Sequence, residues 1–344
     1  MQPFKFTLMK RINILFIAVV TVLAAACGTA KSEKYVVAYV TGWGSDVIPD
    51  VSLMTHINYA FGHVNESFDG VLIQNEERFR LIVGLKEQKP ELKVLLSIGG
   101  WGSGRFSEMA ATPQTRAAFA ADCKRIVDSY GIDGIDIDWE YPTSRAAGIS
   151  ASPDDTANYT LLMQDIREAI GPDKLLTYAS VWSARYIDHK AVLPFVDFVN
   201  IMSYDMSPAG RGISSGLHNS ALTGPGSTEA ALKAHLDAGI PRDRITVGLP
   251  FYGRGKASEY EDYANYRQID SSGFTVLWDD VALVPYFVND AGEFVFNYEN
   301  PRSMRLKCRF VVDADVLGAM YWDYGADDDN ATLAKIVASY MLEQ

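Results

Sequence analysis

Cysteine and histidine are scarce in this chain, three and five among 344 residues, and neither falls in a spacing that would clamp a metal ion. That excludes a zinc scaffold and a disulfide-dense fold, and no metal or other cofactor is expected. Positive charge is also short: 31 Lys and Arg stand against 43 Asp and Glu, for a formal net charge of −12. Such a surface argues against nucleic acid and anionic lipid as partners and suits a neutral ligand. No Gly-rich phosphate loop follows the first predicted strand, which argues against a doubly wound dinucleotide-binding sheet. Repeats and low-complexity segments are absent, and the apolar run at residues 14–26 is too short to span a bilayer.

That short run has the form of an address. Lys5, Lys10 and Arg11 precede it, and it closes Leu23-Ala24-Ala25-Ala26-Cys27. Small residues before a cysteine resemble a bacterial lipoprotein cleavage site, with Leu four positions before the Cys where three is more usual. The expectation is a leader at 1–26, acylation of Cys27, and a place in the bacterial cell envelope with the outer membrane touched only through that anchor. A plain secretory signal cut near Ala26 is the alternative. Removing 26 residues and three basic groups leaves 318 residues and a net charge of −15 (−12 − 3). Cys123 and Cys308 fall in predicted helices and are expected to be buried free thiols, with a bridge between them as the alternative.

From residue 35 onward, short β-rich runs alternate with helical stretches. Strands are predicted at 35–40, 57–61, 94–97, 132–138, 175–180, 198–203, 245–249 and 317–322. Helix starts are marked by Thr112-Pro113, Asp154-Asp155, Ser227-Thr228, Asn300-Pro301 and Asp329-Asn330. Eight βα units in one chain of this size predict an α/β fold, a (β/α)8 TIM barrel at 35–342 with helices outside. One connection breaks the rhythm. Residues 253–299 are too long for a simple loop and alternate like strands, as in Phe294-Val295-Phe296.

The fourth predicted strand carries the most information. In Asp133-Gly134-Ile135-Asp136-Ile137-Asp138-Trp139-Glu140-Tyr141-Pro142, strand geometry puts Asp136, Asp138 and Glu140 on one face and Ile135, Ile137 and Trp139 on the other. Three carboxyls facing a barrel interior cannot all ionise comfortably, so at least one must hold its proton near neutral pH. That is what a general acid requires. Asp133, three residues before Asp136, faces away from the row and is expected to hold the strand start.

This run resembles the D-G-x-D-x-D-x-E signature of glycoside hydrolase family 18, the chitinase family, and Tyr141-Pro142 resembles chitinases in particular. Other strand ends carry further resemblances. Ser97-Ile98-Gly99-Gly100-Trp101 is similar to the family's S-x-G-G motif, and Met202-Ser203-Tyr204-Asp205 to its M-x-Y-D motif. Trp322 stands where the family places its sugar-stacking floor, and Tyr39 where it usually has Gly-Tyr-Tyr. Tyr252 and Arg254 occupy positions of a cleft aromatic and a sugar-contacting Arg. The 253–299 segment resembles the small α+β insertion of these enzymes between strand seven and its helix.

The resemblance implies a retaining, substrate-assisted glycosidase without cofactor, acting as a monomer on chitin or N-acetylglucosamine oligosaccharides. It implies that Glu140 protonates the leaving oxygen and later activates water. Asp138 would hold the acetamido N–H, Asp136 would share a proton with Asp138, Tyr204 would donate to the acetamido carbonyl, and Asp205 would place the −1 sugar. Ser97, Gly99, Gly100, Trp101, Tyr141, Met202, Tyr39, Tyr252, Arg254 and Trp322 complete the expected substrate contacts. Two alternatives stay open: an endo-β-N-acetylglucosaminidase cutting the chitobiose core of N-glycans, and a glycan-binding protein on an inactive barrel.

Overall fold

The computed structural model describes residues 34–44 and 46–343. The expected leader and Cys27 lie outside the described residues. Eight parallel strands close into a barrel, numbered here in chain order: β1 (Tyr35–Thr41), β2 (His56–Val64), β3 (Lys93–Gly99), β4 (Gly134–Asp138), β5 (Leu175–Val181), β6 (Phe198–Met202), β7 (Ile245–Pro250) and β8 (Gly318–Trp322). Each pairs with its sequence neighbour, and β8 pairs with β1 to close the ring. All eight predicted strands are present. A short strand, Val71–Ile73, adds antiparallel to β2.

Around the barrel run α1 (Glu76–Gly84), α2 (Phe106–Ala110), α3 (Pro113–Tyr130), α4 (Asp155–Ile170), α5 (His189–Val192), α6 (Thr228–Asp237), α7 (Pro301–Asp313) and α8 (Thr332–Met341). Three of the five cap signals, at Thr112, Ser227 and Asn300, act as their chemistry dictates, whereas α4 starts at Asp154 and α8 after Ala331 without a side-chain cap. Thr112 Oγ1 accepts from Thr115 N at the start of α3, and Gly131 ends that helix at φ +64°, a conformation glycine adopts without a Cβ clash. Asn300 accepts from the amides of Arg302 and Ser303 at the start of α7. Between β1 and β2 the expected helix is replaced by a 3-10 turn, Val51–Leu53, which Asp50 caps through Ser52 N. The helices α1, α2 and α5 are not among the predicted starts, although Asn75 and Asp188 cap α1 and α5 by accepting from Arg78 N and Ala191 N; α2 has no side-chain cap.

The insertion is a five-stranded antiparallel sheet in the order Tyr263–Asn265, Tyr252–Gly255, Phe294–Asn297, Val284–Val288, Thr275–Asp279. This corrects the α+β expectation, because the only helical element inside it is the 3-10 turn Tyr266–Gln268. Alternating Tyr, Phe and Val favour strands, and Phe287, Val295, Phe296 and Ala264 bury into a small core of their own.

Strand alternation divides the barrel core in two. Outward residues such as Ile135 and Ile137 are fully buried under the helices, and each such burial stabilises by about 1.5–3 kcal/mol. Truncating Ile137 to Ala would cost about 2–5 kcal/mol. Cys123 and Cys308 lie in α3 and α7 as buried free thiols, raised by burial far above the ordinary range. No helix among the described residues is long and apolar enough to cross a membrane, and none of their His, Cys, Asp and Glu groups could hold a metal ion.

Candidate active site

The C-terminal ends of the barrel strands surround a cleft of about 800 Å³. β4 feeds it. Trp139 turns outward and stacks on Phe106, with ring centroids 5.2 Å apart. Asp136, Asp138 and Glu140 face the interior at 0%, 4% and 9% exposure. These three carboxyls meet three different environments.

Asp136, the deepest, is held by four neutral donors. Tyr39 Oη and Ser97 Oγ donate to Oδ2 at 2.8 and 2.7 Å, and Thr177 Oγ1 and Asn200 Nδ2 donate to Oδ1 at 2.6 and 3.2 Å. Asn200 is oriented in turn by Thr246, whose hydroxyl donates to its Oδ1 at 2.7 Å. Burial raises the Asp136 carboxyl, and the four hydrogen bonds pull the other way by favouring the charged form. The Asp138 side chain makes no hydrogen bond, and its Oδ1 is buried without a partner. Burial first, then the charges of Glu140 and Asp136, hold it well above the usual carboxylate range. A proton shared directly between Asp136 and Asp138 has no hydrogen bond to run along here, because the donors above fill the Asp136 oxygens.

Glu140 sits at the mouth. Burial pushes it up to about 7, the Tyr141 hydroxyl lowers it, and the charge of Asp205 raises it further. It therefore carries a proton for a substantial part of the time near neutrality, as a general acid needs. At the opposite end of the strand, Asp133 Oδ2 accepts from Lys86 Nζ at 2.7 Å and Val94 N at 2.8 Å, far from the cleft.

The glycines after β3 are required by close approach. A Cβ on Gly99 would lie 2.0 Å from the Asp138 carbonyl oxygen, and one on Gly100 would lie 2.4 Å from the Phe61 ring. Both residues line the cleft, as does Trp101, which is 63% exposed. Ser97 is corrected. It was expected at the substrate, but it is fully buried beneath the cleft and serves Asp136.

Tyr204 and Met202, from the end of β6, face the cleft. The Tyr204 hydroxyl donates only to Met320 Sδ, at 3.8 Å. Asp205 has a left-handed φ of +53°, which Asp tolerates, and receives two hydrogen bonds from Arg254 at 2.8 and 2.7 Å. Arg254 lies over the rings of Tyr252 and Tyr263, themselves stacked at 4.7 Å. Trp322 stacks on Phe61 at 5.5 Å and meets Tyr39 at 5.6 Å.

Residues 35–327 match the family model described as Glycosyl hydrolases family 18. The chain belongs to that family. It is 34% identical over 306 residues to Chitinase A1 of Niallia circulans, covering 74% of this chain and 43% of that one. It is 26% identical to Chitinase B of Serratia marcescens, covering 83% of this chain and 76% of that one. The chain thus spans less than half the length of Chitinase A1. Among solved structures it resembles a glycoside hydrolase family 18 N-acetylglucosaminidase from Paenibacillus barengoltzii, with TM-score 0.79, 33% identity, and 89% of this chain and 99% of that chain covered. It also resembles the Ostrinia furnacalis Group IV chitinase in complex with allosamidin, with TM-score 0.80, 26% identity, and 90% and 99% covered.

This family 18 cleft has lining that the sequence pattern did not bring forward. Trp43, Phe61, His63, Trp182, Arg185, Tyr186 and Tyr263 all face it. Tyr186 stacks on Tyr141 at 5.2 Å, which extends the wall begun by Trp101. Phe61 lies within β2, at the end of the predicted strand 57–61, and Trp182 to Tyr186 follow β5. Strand ends were the available signal, and these two carry no family motif. Thr177 and Asn200 had a subtler signal, as polar residues on interior faces of buried strands.

Proposed function

We propose that this chain hydrolyses β-1,4 bonds between N-acetylglucosamine residues of chitin or chito-oligosaccharides, with retention of configuration and with the substrate's own acetamido group as nucleophile. One observation carries the reading. The carboxyls lining the cleft are Asp138, Glu140 and Asp205. Asp205 is committed to Arg254. The two carboxyls without a cation, Asp138 and Glu140, stand two residues apart at one strand end, so no second unpaired carboxylate lies across the cleft from Glu140, and the nucleophile comes from the sugar.

Glu140 gives its proton to the glycosidic oxygen as the C1–O bond breaks. The acetamido carbonyl oxygen bonds to C1, forming an oxazolinium. Asp138 accepts the acetamido N–H through its unpartnered Oδ1, and the carboxylate that Glu140 becomes balances the positive charge. The loosely engaged Tyr204 hydroxyl donates to the acetamido carbonyl, and the Asp205–Arg254 pair orients the −1 sugar. Glu140, now a carboxylate, takes a proton from water as that water adds to C1 and the ring opens. Trp322, Phe61 and Trp43 supply a stacking surface on one side, and Trp101 with Tyr141 on the other.

Proton NMR of the first product from chitohexaose tests this. The β-anomer is expected first; an initial α-anomer, or ready cleavage of cello-oligosaccharides, defeats the mechanism. Relatives named endochitinases favour internal cleavage, whereas the N-acetylglucosaminidase matched over nearly its whole length favours release of single sugars. A product profile on oligomers of defined length, run beside an N-glycoprotein expected to stay intact, separates these readings.

We also propose that Cys27 is acylated and anchors the protein in the cell envelope. The support is the basic start, the apolar run and the small residues before that cysteine. Cys27→Ala should move the protein to the soluble fraction with turnover unchanged; a Cys27→Ala protein that stays with membranes refutes the anchor.

A further inference from the structure

Away from the reacting groups, the structure buries an ion pair whose members lie on neither side of the reaction. Lys307, in α7, and Glu299, just before it, have no exposed side-chain surface. Lys307 Nζ donates to Glu299 Oε1 and to the Ser215 carbonyl. The Ser215 hydroxyl donates to the same Glu299 oxygen at 2.8 Å, and Asn297 Nδ2 donates to the Ser215 hydroxyl at 3.3 Å. Asn297 Oδ1 accepts from both the amide and the hydroxyl of Ser214, at 3.0 and 3.2 Å. A buried pair of this kind stabilises little by itself, because desolvation offsets the attraction, but losing one partner is costly.

The position of this network gives it a second consequence. Asn297 lies in the insertion sheet directly opposite Arg254. Ser214, held by the Asn297 side chain, accepts through its carbonyl from the amide of Met206 at 3.0 Å, and Met206 follows Asp205. The two arms therefore close a ring. One runs from Asn297 by strand pairing to Arg254. The other runs from Asn297 through Ser214 and Met206 to Asp205. The ring closes at the two hydrogen bonds between Arg254 and Asp205. Asn297 is 1% exposed and does not reach the cleft.

We infer that Asn297, braced by the buried Lys307–Glu299 pair, is a positioning residue that sets the Asp205–Arg254 pair against Glu140 and Tyr204. The inference rests on the activity proposed above. Asp138 on β4, Tyr141 after it, and Tyr204 and Asp205 after β6 interact electrostatically with Glu140. Asp136 on β4, Arg254 on the insertion, Tyr39 on β1, His63 on β2, Arg185 and Tyr186 after β5, and Tyr252 and Tyr263 on the insertion are the other charged or titratable groups in or under the cleft. Asn297 controls the placement of two of them without touching substrate.

The test compares Asn297→Ala with Val337→Ala, a cavity variant in α8 on the outside of the barrel. Both lower thermal stability. Val337→Ala should keep KM and the pH profile of wild type. Asn297→Ala should raise KM on chito-oligosaccharides by about tenfold, since small misplacements near reacting groups are expensive. It should also move the basic limb of its pH profile to lower pH, because Asp205 would no longer hold up the acid. If Asn297→Ala does not fold, the paired replacement Glu299→Gln with Lys307→Met removes the brace without leaving a lone charge, and the same two shifts are expected. Wild-type KM and pH profile in the folded variant overturn the inference. If the wild-type chain turns over no chito-oligosaccharide, the functional reading falls separately. The brace is then judged by crystallography of Asn297→Ala, where both Asp205–Arg254 hydrogen bonds remaining in place would overturn it.

Discussion

The two ends of β4 treat carboxylates in opposite ways. At the N-terminal rim two strand-start acids each have a cation and a backbone amide. Asp133 takes Lys86 and Val94 N, and Asp197 takes Arg167 Nη2 and Leu176 N at 2.6 and 2.7 Å. At the C-terminal mouth no cation reaches Asp138 or Glu140. Burial and neighbouring negative charge lift both. Between the ends, Asp136 is satisfied by neutral donors alone. A single five-residue strand with its flanks thus holds structural, supporting and reactive acids, and their partners rather than their residue type assign the work.

The largest expected break in this contrast is Glu140→Gln. The amide keeps the shape and removes the transferable proton, so kcat should fall by at least about 10³-fold with oligosaccharide binding retained, as measured by steady-state kinetics and calorimetry. A variant keeping a tenth of wild-type turnover would falsify the role of Glu140. Asp138→Asn should follow, with about a 10²-fold loss and a displaced pH profile, because one member of a charge-coupled row is gone. An unaltered profile would mean the two groups do not sense each other.

The same contrast sets the pH dependence. Glu140 is raised from its usual 4.5 to about 7 in the folded chain, so the native state binds this proton more tightly than the unfolded state. Its contribution to stability is full below about 4.5 and is lost as pH rises through about 7. Glu140→Gln should therefore melt above wild type at pH 8 and lose that advantage at pH 4, as read by calorimetry. The activity limb that needs the protonated acid should fall on the alkaline side of about 7. The smallest catalytic effect is expected at the other end of the strand. Asp133→Ala should cost about 1–3 kcal/mol of stability through its lost charge-assisted bonds, yet leave kcat and KM unchanged. A change in KM there would show that the rim and the mouth are coupled.

Much of this arrangement is legible in the sequence. Period-two alternation placed the carboxyl row and its apolar counterface, and cap chemistry at Thr112, Ser227 and Asn300 placed three helices. What escaped depends on contacts distant in the chain. Asp136 is bonded from β1, β3, β5 and β6, and the polar, inward-facing positions of Thr177 and Asn200 mark them as buried polar residues without showing which group they serve. Ser97 belongs to a recognisable motif, yet only the register Ser97↔Asp136 shows that it faces the carboxyl rather than the sugar. The missing first helix and the helix-free insertion follow from short or β-rich segments whose form is settled by packing.

The cleft's lack of a free third carboxylate has a consequence for mixed polymers. Under the proposed mechanism, a sugar stripped of its acetyl group brings no carbonyl to the anomeric carbon, yet it still offers a ring face to Trp322 and hydroxyls to the Asp205–Arg254 pair. Such a residue parked at the reacting position would occupy the enzyme without turning over. Sparse deacetylation along a chain would then slow its degradation more than the fraction of altered sugars suggests, and the fragments left behind would act as competitive inhibitors with the altered unit near the cut that failed.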